Sequence, residues 1–266
     1  MNKYKIIYAC STHIGNIRDE NEDNFYIDGK IATNNIETIT GILKNEKNLV
    51  SVCDGMGGEA NGKEASTFTV EQIKQADDNI KNSDADVSDI IQKHINIAND
   101  DVCEMSQKKG AASGSTANIV YIDGNIAHSY NLGDSKTYLF RDNKLEQLSR
   151  DHTTVADLVR MGALSEEEAK THPRRNQLNQ FIGVPPARFK LEPHIKEIEL
   201  CENDIILICS DGLTEMCENA EIISILSSEK NPEDAVKKLI DRTLNNGGTD
   251  NITVILLYVN GKHQTG

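Results

Sequence analysis

Acidic residues recur in this sequence where apolar, strand-like runs begin or end. Removing an isolated carboxylate from water there costs on the order of several kcal/mol unless its charge is satisfied. A divalent cation satisfies it, and oxygen-only ligands favour hard ions such as Mg²⁺ or Mn²⁺ over Zn²⁺. Any one of these residues could equally be a turn cap, but the set as a whole favours a metal site. The acidic positions are Asp54, Asp134, Asp211, Asp250 and the pair Glu22-Asp23.

The first strand-end carboxylate belongs to a glycine cluster, the segment Asp54-Gly55-Met56-Gly57-Gly58. Glycine permits close approach of the main chain and positive φ angles, so this segment could bring its backbone against a ligand or an ion. A strand that ends in a glycine-rich turn is, by itself, more often ordinary turn chemistry. The cluster therefore indicates a site only together with the other carboxylates.

Runs with strand character dominate the elements that must position these residues. Asp123-Gly124 lies between two such runs and Asp142-Asn143 follows another, which predicts antiparallel hairpins with short turns. The predicted strands cover 5–11, 24–28, 49–54, 116–122, 126–131, 136–141, 195–200, 204–209 and 252–259.

Helical periodicity is confined to fewer segments. The clearest predicted helix covers 86–107, where apolar residues recur at spacings of three and four. A second begins at Pro232 and stops before Gly247-Gly248, and a third covers 64–76. Hairpins combined with these helices predict an α+β fold, a layered sandwich of mainly antiparallel sheets covered by helices.

One long segment, from Arg150 to Pro186, is polar and has only two helical patches, at 155–161 and 165–170. Long excursions between core strands commonly serve a site, so we interpret this segment as a flap beside the active centre. The sequence assigns no role to the stretch 31–48.

Composition excludes several classes of function. The formal net charge of −14 disfavours binding to nucleic-acid phosphates and to anionic membranes. The N-terminus has no secretory signal and no window approaches the roughly 18 continuous apolar residues of a membrane span, which predicts a cytoplasmic protein. The six cysteines include no C-x-x-C pair, which predicts that there is no disulfide framework.

A further acidic cluster, at 84–89, superficially resembles the nucleophile motif of haloacid-dehalogenase-like phosphatases or the start of an EF-hand. No apolar strand precedes it, and Asp89 and Ile95 stand where an EF-hand needs its glycine and its glutamate. The cluster instead predicts a helix start rich in N-capping residues.

Eight short segments follow one another along nearly the whole chain. They are GNIRDENED (15–23), DGMGG (54–58), GSTA (114–117), NLGDS (131–135), SRDHT (149–153), HPRRN (172–176), SDGL (210–213) and TDNI (249–252). In this order they resemble the motifs of the metal-dependent protein serine/threonine phosphatases, the type-2C family, in its compact bacterial form. The resemblance implies a four-layer α-β-β-α sandwich of two antiparallel sheets flanked by helices. It also implies one catalytic domain over 1–260, with a flap at about 150–186, and a C-terminal tail at 261–266.

The same resemblance implies roles for the carboxylates. Asp54 would bridge two metal ions, Mn²⁺ or Mg²⁺, with the carbonyl of Gly55 on one of them. Asp211 and Asp250 would hold the other ion, and Asp134 with Asp211 matches the position of a third, weaker metal.

The resemblance also implies roles for residues of the N-terminal motif. Glu22 and Asp23 would act largely through metal-bound water, and Arg18 would hold the substrate phosphate through its planar donor fork. The alternative for Arg18 is a surface salt bridge to a neighbouring acid such as Asp19 or Glu22.

The chemistry implied by the resemblance is in-line attack on phosphorus by a hydroxide that bridges two divalent ions, without a covalent phosphoenzyme. Many eukaryotic members carry a histidine, a candidate general acid, at the position of Met56, and methionine cannot donate a proton. Leaving-group protonation would come from metal-bound water or another residue. His152 is a remote candidate whose plainer interpretation is a hydrogen-bonded structural histidine.

The leading hypothesis is thus a metal-dependent hydrolase that acts on phosphoserine and phosphothreonine in proteins, as a monomer that opposes a Ser/Thr kinase. Two alternatives stay open. One is a phosphatase dedicated to a sigma-factor regulator partner-switching circuit, and the other is a non-catalytic module that binds phosphoproteins. Loss of a core metal aspartate would be the signature of the second, and none is missing.

Overall fold

This computed structural model describes residues 4–32, 35–57, 61–185 and 189–261. Three predicted features fall partly outside these residues: Gly58 of the glycine cluster, Pro186 at the end of the flap, and 262–266 of the tail. The strands, in chain order, are β1 (Lys5–His13), β2 (Asn24–Ile27), β3 (Lys30–Ile31), β4 (Ile36–Leu43), β5 (Lys47–Cys53), β6 (Gly55–Met56), β7 (Gly114–Ser115), β8 (Ala117–Asp123), β9 (Ile126–Leu132), β10 (Lys136–Arg141), β11 (Lys144–Gln147), β12 (His194–Glu199), β13 (Ile205–Cys209) and β14 (Ile252–Asn260). The helices are α1 (Asn61–Lys81), α2 (Val87–Lys109), α3 (Thr154–Arg160), α4 (Glu166–Lys170), α5 (Asp211–Met216), α6 (Asn219–Ser228) and α7 (Pro232–Asn245).

Two six-stranded sheets form the centre of the fold. The first has the order β11-β10-β13-β14-β1-β4 and the second β12-β9-β8-β5-β2-β3, while β6 and β7 pair separately. Neighbouring strands in both sheets are antiparallel, as the hairpin signals predicted. The turns at Asp123-Gly124 and Asp142-Asn143 join β8 to β9 and β10 to β11.

Three apolar clusters hold the layers together. One lies between the sheets and includes Phe25, Val52 and Ile255. The second packs α1 and α2 on the second sheet, and the third packs α5, α6 and α7 on the first sheet. This is the predicted α-β-β-α sandwich. The strands β13 and β14 are apolar throughout most of their length because both of their faces are covered, by helices and by the other sheet.

Helix termini follow the capping signals of the sequence. The side chain of Asp86 caps α2 by accepting hydrogen bonds from the N–H groups of Ser88 and Asp89, which confirms the interpretation of the acidic cluster at 84–89. Asn231 caps α7 ahead of Pro232.

The stretch 31–48, which the sequence left without a role, contains β4. This strand pairs with β1 and forms one edge of the first sheet. Its buried and exposed residues alternate only roughly, as expected of an edge strand with one solvated face, so its signal is weaker than that of the central strands. Helices α5 and α6 and the short strands β3, β6, β7 and β11 were also not predicted from the sequence.

All six cysteines lie within the described residues and carry free thiols, and Cys53 and Cys209 are fully buried. The free thiols agree with the prediction that the cysteines form no disulfide framework. None of the described helices is both long enough and apolar enough to cross a bilayer.

Candidate active site

The predicted carboxylates meet at one edge of the sandwich because the strands that carry them end there. Asn24 pairs with Cys53 in the second sheet, which brings Asp23 and Asp54 to neighbouring strand ends. In the first sheet Cys209 pairs with Val254, which brings the segments of Asp211 and Asp250 together.

Asp23 is buried at the junction of the two sheets, with only 2% of its surface exposed. Its Oδ2 accepts hydrogen bonds from the hydroxyls of Ser210 and Thr253, each at 2.7 Å. The hydroxyl of Thr253 lies 2.7 Å from that of Thr12, which accepts a bond from the side-chain amide of Asn21. This polar network fixes Asp23 and ties both sheets together at the site.

The main chain of Asp54 is held by Thr116. The N–H of Asp54 donates to the Thr116 hydroxyl at 2.9 Å, and the N–H of Thr116 donates to the carbonyl of Asp54 at 2.8 Å. The same hydroxyl lies 2.7 Å from that of Ser135, the neighbour of Asp134. Thr116 therefore links the backbones that carry two of the predicted ligands.

The carboxyl groups of this edge raise one another's pKa values. Burial raises the pKa of Asp54 well above its ordinary value, and the charges of Asp23 and Asp211 raise it further. The pKa values of Asp134 and Asp211 are also raised by burial, with further contributions from Asp211 on Asp134 and from Asp250 on Asp211. These effects place the five carboxyls of Asp23, Asp54, Asp134, Asp211 and Asp250 in one electrostatic cluster.

Two buried oxygens of this cluster have no hydrogen-bond partner among the described residues: Oδ1 of Asp23 and Oδ1 of Asp211. A buried carboxylate oxygen without a donor is costly, and a divalent cation would satisfy it. Among the described residues, no three acidic, histidine or cysteine side chains are placed closely enough to hold a single metal ion as they stand.

Gly55 occupies a position that admits no side chain. A Cβ atom there would lie 2.1 Å from the carbonyl oxygen of Gly62 and 2.7 Å from that of Glu22. The backbone of Gly55 therefore packs directly against the start of α1. The carboxylate of Glu22 accepts hydrogen bonds from the N–H groups of Gly62 and Lys63 at that helix start, while burial raises its pKa.

Arg18 pairs with Asp250, not with Asp19 or Glu22 as the sequence alternative supposed. Its Nη2 donates to Oδ2 of Asp250 at 2.6 Å, and about half of its side-chain surface remains exposed. The ion pair arises because the loops that carry the two residues lie together, where the N–H of Asn16 donates to the carbonyl of Gly248 at 2.7 Å. Arg18 thus lies at the rim of the carboxylate cluster.

Lys136, which the sequence analysis missed, places an ammonium group beside the cluster. Its Nζ donates to the carbonyl of Asp134 at 3.0 Å and lies 3.3 Å from a carboxylate oxygen of Asp151. Burial lowers its pKa, but nearby negative charges, Asp151 foremost, more than reverse this effect. A lysine at the start of an apolar strand, two residues after a candidate ligand, was the available sequence signal.

Part of the flap contacts α5, the helix that begins at Asp211. The side-chain amide of Asn176 donates to Glu215 on α5, and the charge of Asp211 contributes to the raised pKa of Glu215, after burial. At the flap's base, Ser115 and Ile182 exchange two backbone hydrogen bonds, of 2.8 and 2.9 Å.

His152, also at the flap's base, makes the contacts of a structural histidine. Its ring Nδ1 accepts a hydrogen bond from the backbone N–H of Gly133 at 3.3 Å. The backbone N–H of His152 donates to the Gly133 carbonyl at 3.0 Å. Burial, aided by the charge of Arg150, lowers the pKa of the imidazole to about 4. The ring is therefore neutral near pH 7 and accepts a proton only with difficulty.

Comparison with known proteins reveals the family of this arrangement. Residues 11–158 and 170–252 match the family described as Protein phosphatase 2C. The chain belongs to this family. It is therefore a metal-dependent protein serine/threonine phosphatase, as the sequence motifs predicted. The comparisons favour neither the sigma-factor alternative nor the non-catalytic one.

Curated relatives match the chain over most of its length. Serine/threonine phosphatase stp of Listeria monocytogenes serotype 4b is 32% identical over 254 residues, which cover 92% of this chain and 93% of the relative. Protein phosphatase PhpP of Streptococcus pneumoniae is 31% identical, over 87% of this chain and 94% of the relative.

Solved structures share the fold. A serine/threonine phosphatase of S. agalactiae has a TM-score of 0.83 and 31% identity, over 96% of this chain and 99% of that one. The catalytic domain of phosphatase PstP, solved in complex with two manganese ions, has a TM-score of 0.78 and 26% identity over the same shares. The predicted four-layer fold is confirmed.

Proposed function

We propose that the carboxylate cluster holds two divalent cations, Mn²⁺ or Mg²⁺. Asp54, the carbonyl of Gly55, Asp211 and Asp250 would hold these two ions, Asp54 contributing to both. Asp134 together with Asp211 offers a third, weaker site. Glu22 and Asp23 would contribute as acceptors for water near these ions, without binding the ions directly.

One observation carries this proposal: buried carboxyls that raise one another's pKa, two of them with an oxygen that lacks any described partner. Such a cluster is costly without positive charge, and hard cations bind carboxylate and carbonyl oxygens. One oxygen of Asp250 already accepts from Arg18 and the other from the N–H of Asn251. Each of these oxygens keeps a second lone pair, so Asp250 can bind a cation without giving up either bond.

The ions would supply an activated water and neutralise the phosphoryl oxygens of the substrate. The chain's own residues do the rest. Asp23, fixed by its two hydroxyl donors, orients water at the junction of the sheets. Arg18, half-exposed at the rim, binds the phosphate through the donors that Asp250 does not use. His152 is neutral, buried and bonded to Gly133, so it is not the general acid for the leaving group.

Metal dependence tests the proposal directly. The purified protein should hydrolyse p-nitrophenyl phosphate only with added Mn²⁺ or Mg²⁺, because the carboxyl cluster has no other means of activating water. Calorimetric titration of the metal-free protein should show at least two Mn²⁺ sites. Undiminished turnover in excess EDTA would overturn the proposal.

Replacing Arg18 tests its assigned role. Arg18→Ala should raise KM for the aryl phosphate by about tenfold or more, because charge-assisted bonds to the phosphate are lost. Bound Mn²⁺, measured by atomic absorption, should be unchanged. Arg18→Lys is the matched control, since it keeps the charge and loses the planar fork. Loss of bound metal in Arg18→Ala would instead make Arg18 part of the metal site.

The substrates in this proposal are phosphorylated proteins that a Ser/Thr kinase produces, in the cytoplasm, and the protein acts as a monomeric single domain over 1–260. The acidic net charge of −14 supports the absence of nucleic-acid and membrane partners.

A further inference from the structure

A cavity of about 610 Å³ lies between the flap and β12. Two arginines, one at the start of the flap and one on α3, supply the positive charges of its wall. The opposite wall is formed by the segment that leads into β12 and by the start of that strand. The wall includes Arg150, Arg160, Asp157, Phe189, Glu192 and Ile195.

Two guanidinium groups face this cavity with incomplete neutralisation. Arg150 makes no side-chain hydrogen bond or ion pair with any residue in the described ranges; only its backbone N–H is bonded, to Asn131. Arg160 pairs with Asp157, whose carboxylate also accepts from the side chain of Asn179. Burial lowers the pKa of Arg160, and the charge of Arg150 lowers it further.

The potential inside the cavity is positive at both histidines of its wall. Burial lowers the pKa of His194, and Arg150 is the largest charge that lowers it further. Arg150 also lowers the pKa of His152, and the charge of Asp151 opposes this effect only in part. The acids of the wall are Asp157 and Glu192, and neither of them raises the pKa of His194. In a chain with a net charge of −14, this pocket is a local exception.

Apolar groups flank the charged wall. Phe189 is 58% exposed and Ile195 is 50% exposed, although large apolar side chains normally bury more of their surface. A ligand that carries an anionic group beside an apolar side chain would bury both kinds of surface at once.

The cavity adjoins the carboxylate edge. His152 in its wall exchanges two hydrogen bonds with Gly133, the residue before Asp134. His194 pairs in register with Asn131, three residues before Asp134. A peptide whose phosphorylated residue lies at the metal ions can therefore place a flanking residue here.

We propose that this pocket binds an anionic side chain of the phosphoprotein substrate, a carboxylate or a second phosphate, next to an apolar residue near the one that is dephosphorylated. Arg150 supplies the unneutralised charge, and Arg160 supports it. The inference rests on the proposed function and adds a substrate class to it. It also accounts for how a strongly acidic enzyme accepts an acidic substrate segment, which its overall field repels.

The experiment compares phosphothreonine peptides of equal length with the Mn²⁺-loaded protein. One set carries Glu and Leu on either side of the phosphothreonine, a second carries another phosphothreonine in place of Glu, and a third carries Gln in place of Glu. The variants are Arg150→Gln, the double variant with Arg160→Gln, and Lys144→Gln. The last is the matched control, because it removes one exposed positive charge in the β10–β11 hairpin, outside the pocket wall.

We expect kcat/KM to be about three- to tenfold higher for an anionic peptide than for its Gln counterpart. Arg150→Gln should abolish this preference and Lys144→Gln should keep it, with p-nitrophenyl phosphate turnover unchanged in both. Preference for Glu or for the second phosphate identifies which anion is used. Equal kcat/KM for all peptides, or a preference that survives in the double variant, would overturn the inference alone. Absence of turnover even with p-nitrophenyl phosphate would overturn the proposed function, and this inference with it.

Discussion

The carboxylate edge and the flap lie side by side but are built in opposite ways. The edge is carried by β13 and β14, whose residues are almost all buried, and Asp23 is held there by hydroxyls from both strands' ends. The flap helices bury little: α3 buries only Val155 of its residues, and α4 buries none.

This difference reflects what each region must withstand. Carboxyls that repel one another stay together only when a stiff, packed scaffold opposes the repulsion. The flap helices contain no such group of buried carboxyls. A segment with few buried contacts opens at low free-energy cost. We therefore expect changes at the edge to alter catalysis and global stability, and changes in the flap to alter local opening and peptide preference.

The largest effect is expected from Asp211→Asn. Turnover of p-nitrophenyl phosphate with Mn²⁺ should fall by at least about 100-fold, because a proposed ligand is lost. The metal-free variant should melt at a higher temperature than the wild type, because one of several mutually repelling buried charges is gone. Initial rates measure the turnover, and scanning calorimetry in EDTA measures the melting temperature.

Asp142→Asn is the matched control for that variant. It makes the same chemical change in the β10–β11 turn, at a positive φ that asparagine tolerates. Its rate and melting temperature should stay at the wild-type values. Full activity in Asp211→Asn would contradict the assignment of the edge as the metal site.

Acid should act on the two regions in opposite directions. His152 has a lowered pKa, about 4 against an ordinary 6.5, so the unfolded chain binds its proton first and stability is lost as pH falls from 6.5 towards 4. The loss is on the order of 3 kcal/mol at most. The buried carboxyls have raised pKa values, so their protonation stabilises the folded state as pH falls.

The difference between wild type and His152→Gln isolates the histidine contribution. Urea unfolding of the metal-free proteins at pH 7, 5.5 and 4.5 should show that the gap in unfolding free energy narrows as pH falls. As the pH is lowered to 4.5, backbone amides of the flap should lose protection from hydrogen exchange before those of the two sheets. A gap that is constant with pH would mean that His152 is not buried in its neutral form.

The smallest effect is expected from Ser165→Ala. The Ser165 hydroxyl accepts from the N–H of Glu168 at 3.3 Å, and the Glu168 carboxylate accepts from the N–H of Ser165 at 2.8 Å. Loss of this capping box costs α4 about 1 kcal/mol. Flap amides should exchange about fivefold faster, while the melting temperature and aryl phosphate turnover stay the same.

Asn231→Ala provides the comparison, because Asn231 caps α7 and that helix packs on the first sheet. A similar loss of capping free energy should there lower the melting temperature of the whole protein. Equal global destabilisation by both substitutions would contradict the view that the flap opens independently.

Much of this could be predicted from local sequence. The predicted strands, hairpins and the helix at 86–107 were correct to within a few residues. Burial of one face gives a strand or helix a periodic pattern of apolar residues, which is visible in the local sequence. The weakly patterned β4 escaped, since an edge strand needs only one apolar face. The alternative for Arg18, a salt bridge to a neighbouring acid, named the wrong acid, because Asp250 lies 232 residues away in sequence.

By itself the sequence determined which side chains could bind metal, where strands end in carboxylates, and which family's motifs the chain shares. Only the tertiary structure decided how those carboxylates are held. Ser210 and Thr253 reach Asp23 across 187 and 230 residues, and Lys136 meets Asp151 of the flap's base. These contacts depend on strand register and on the packing of two sheets, which no local pattern encodes.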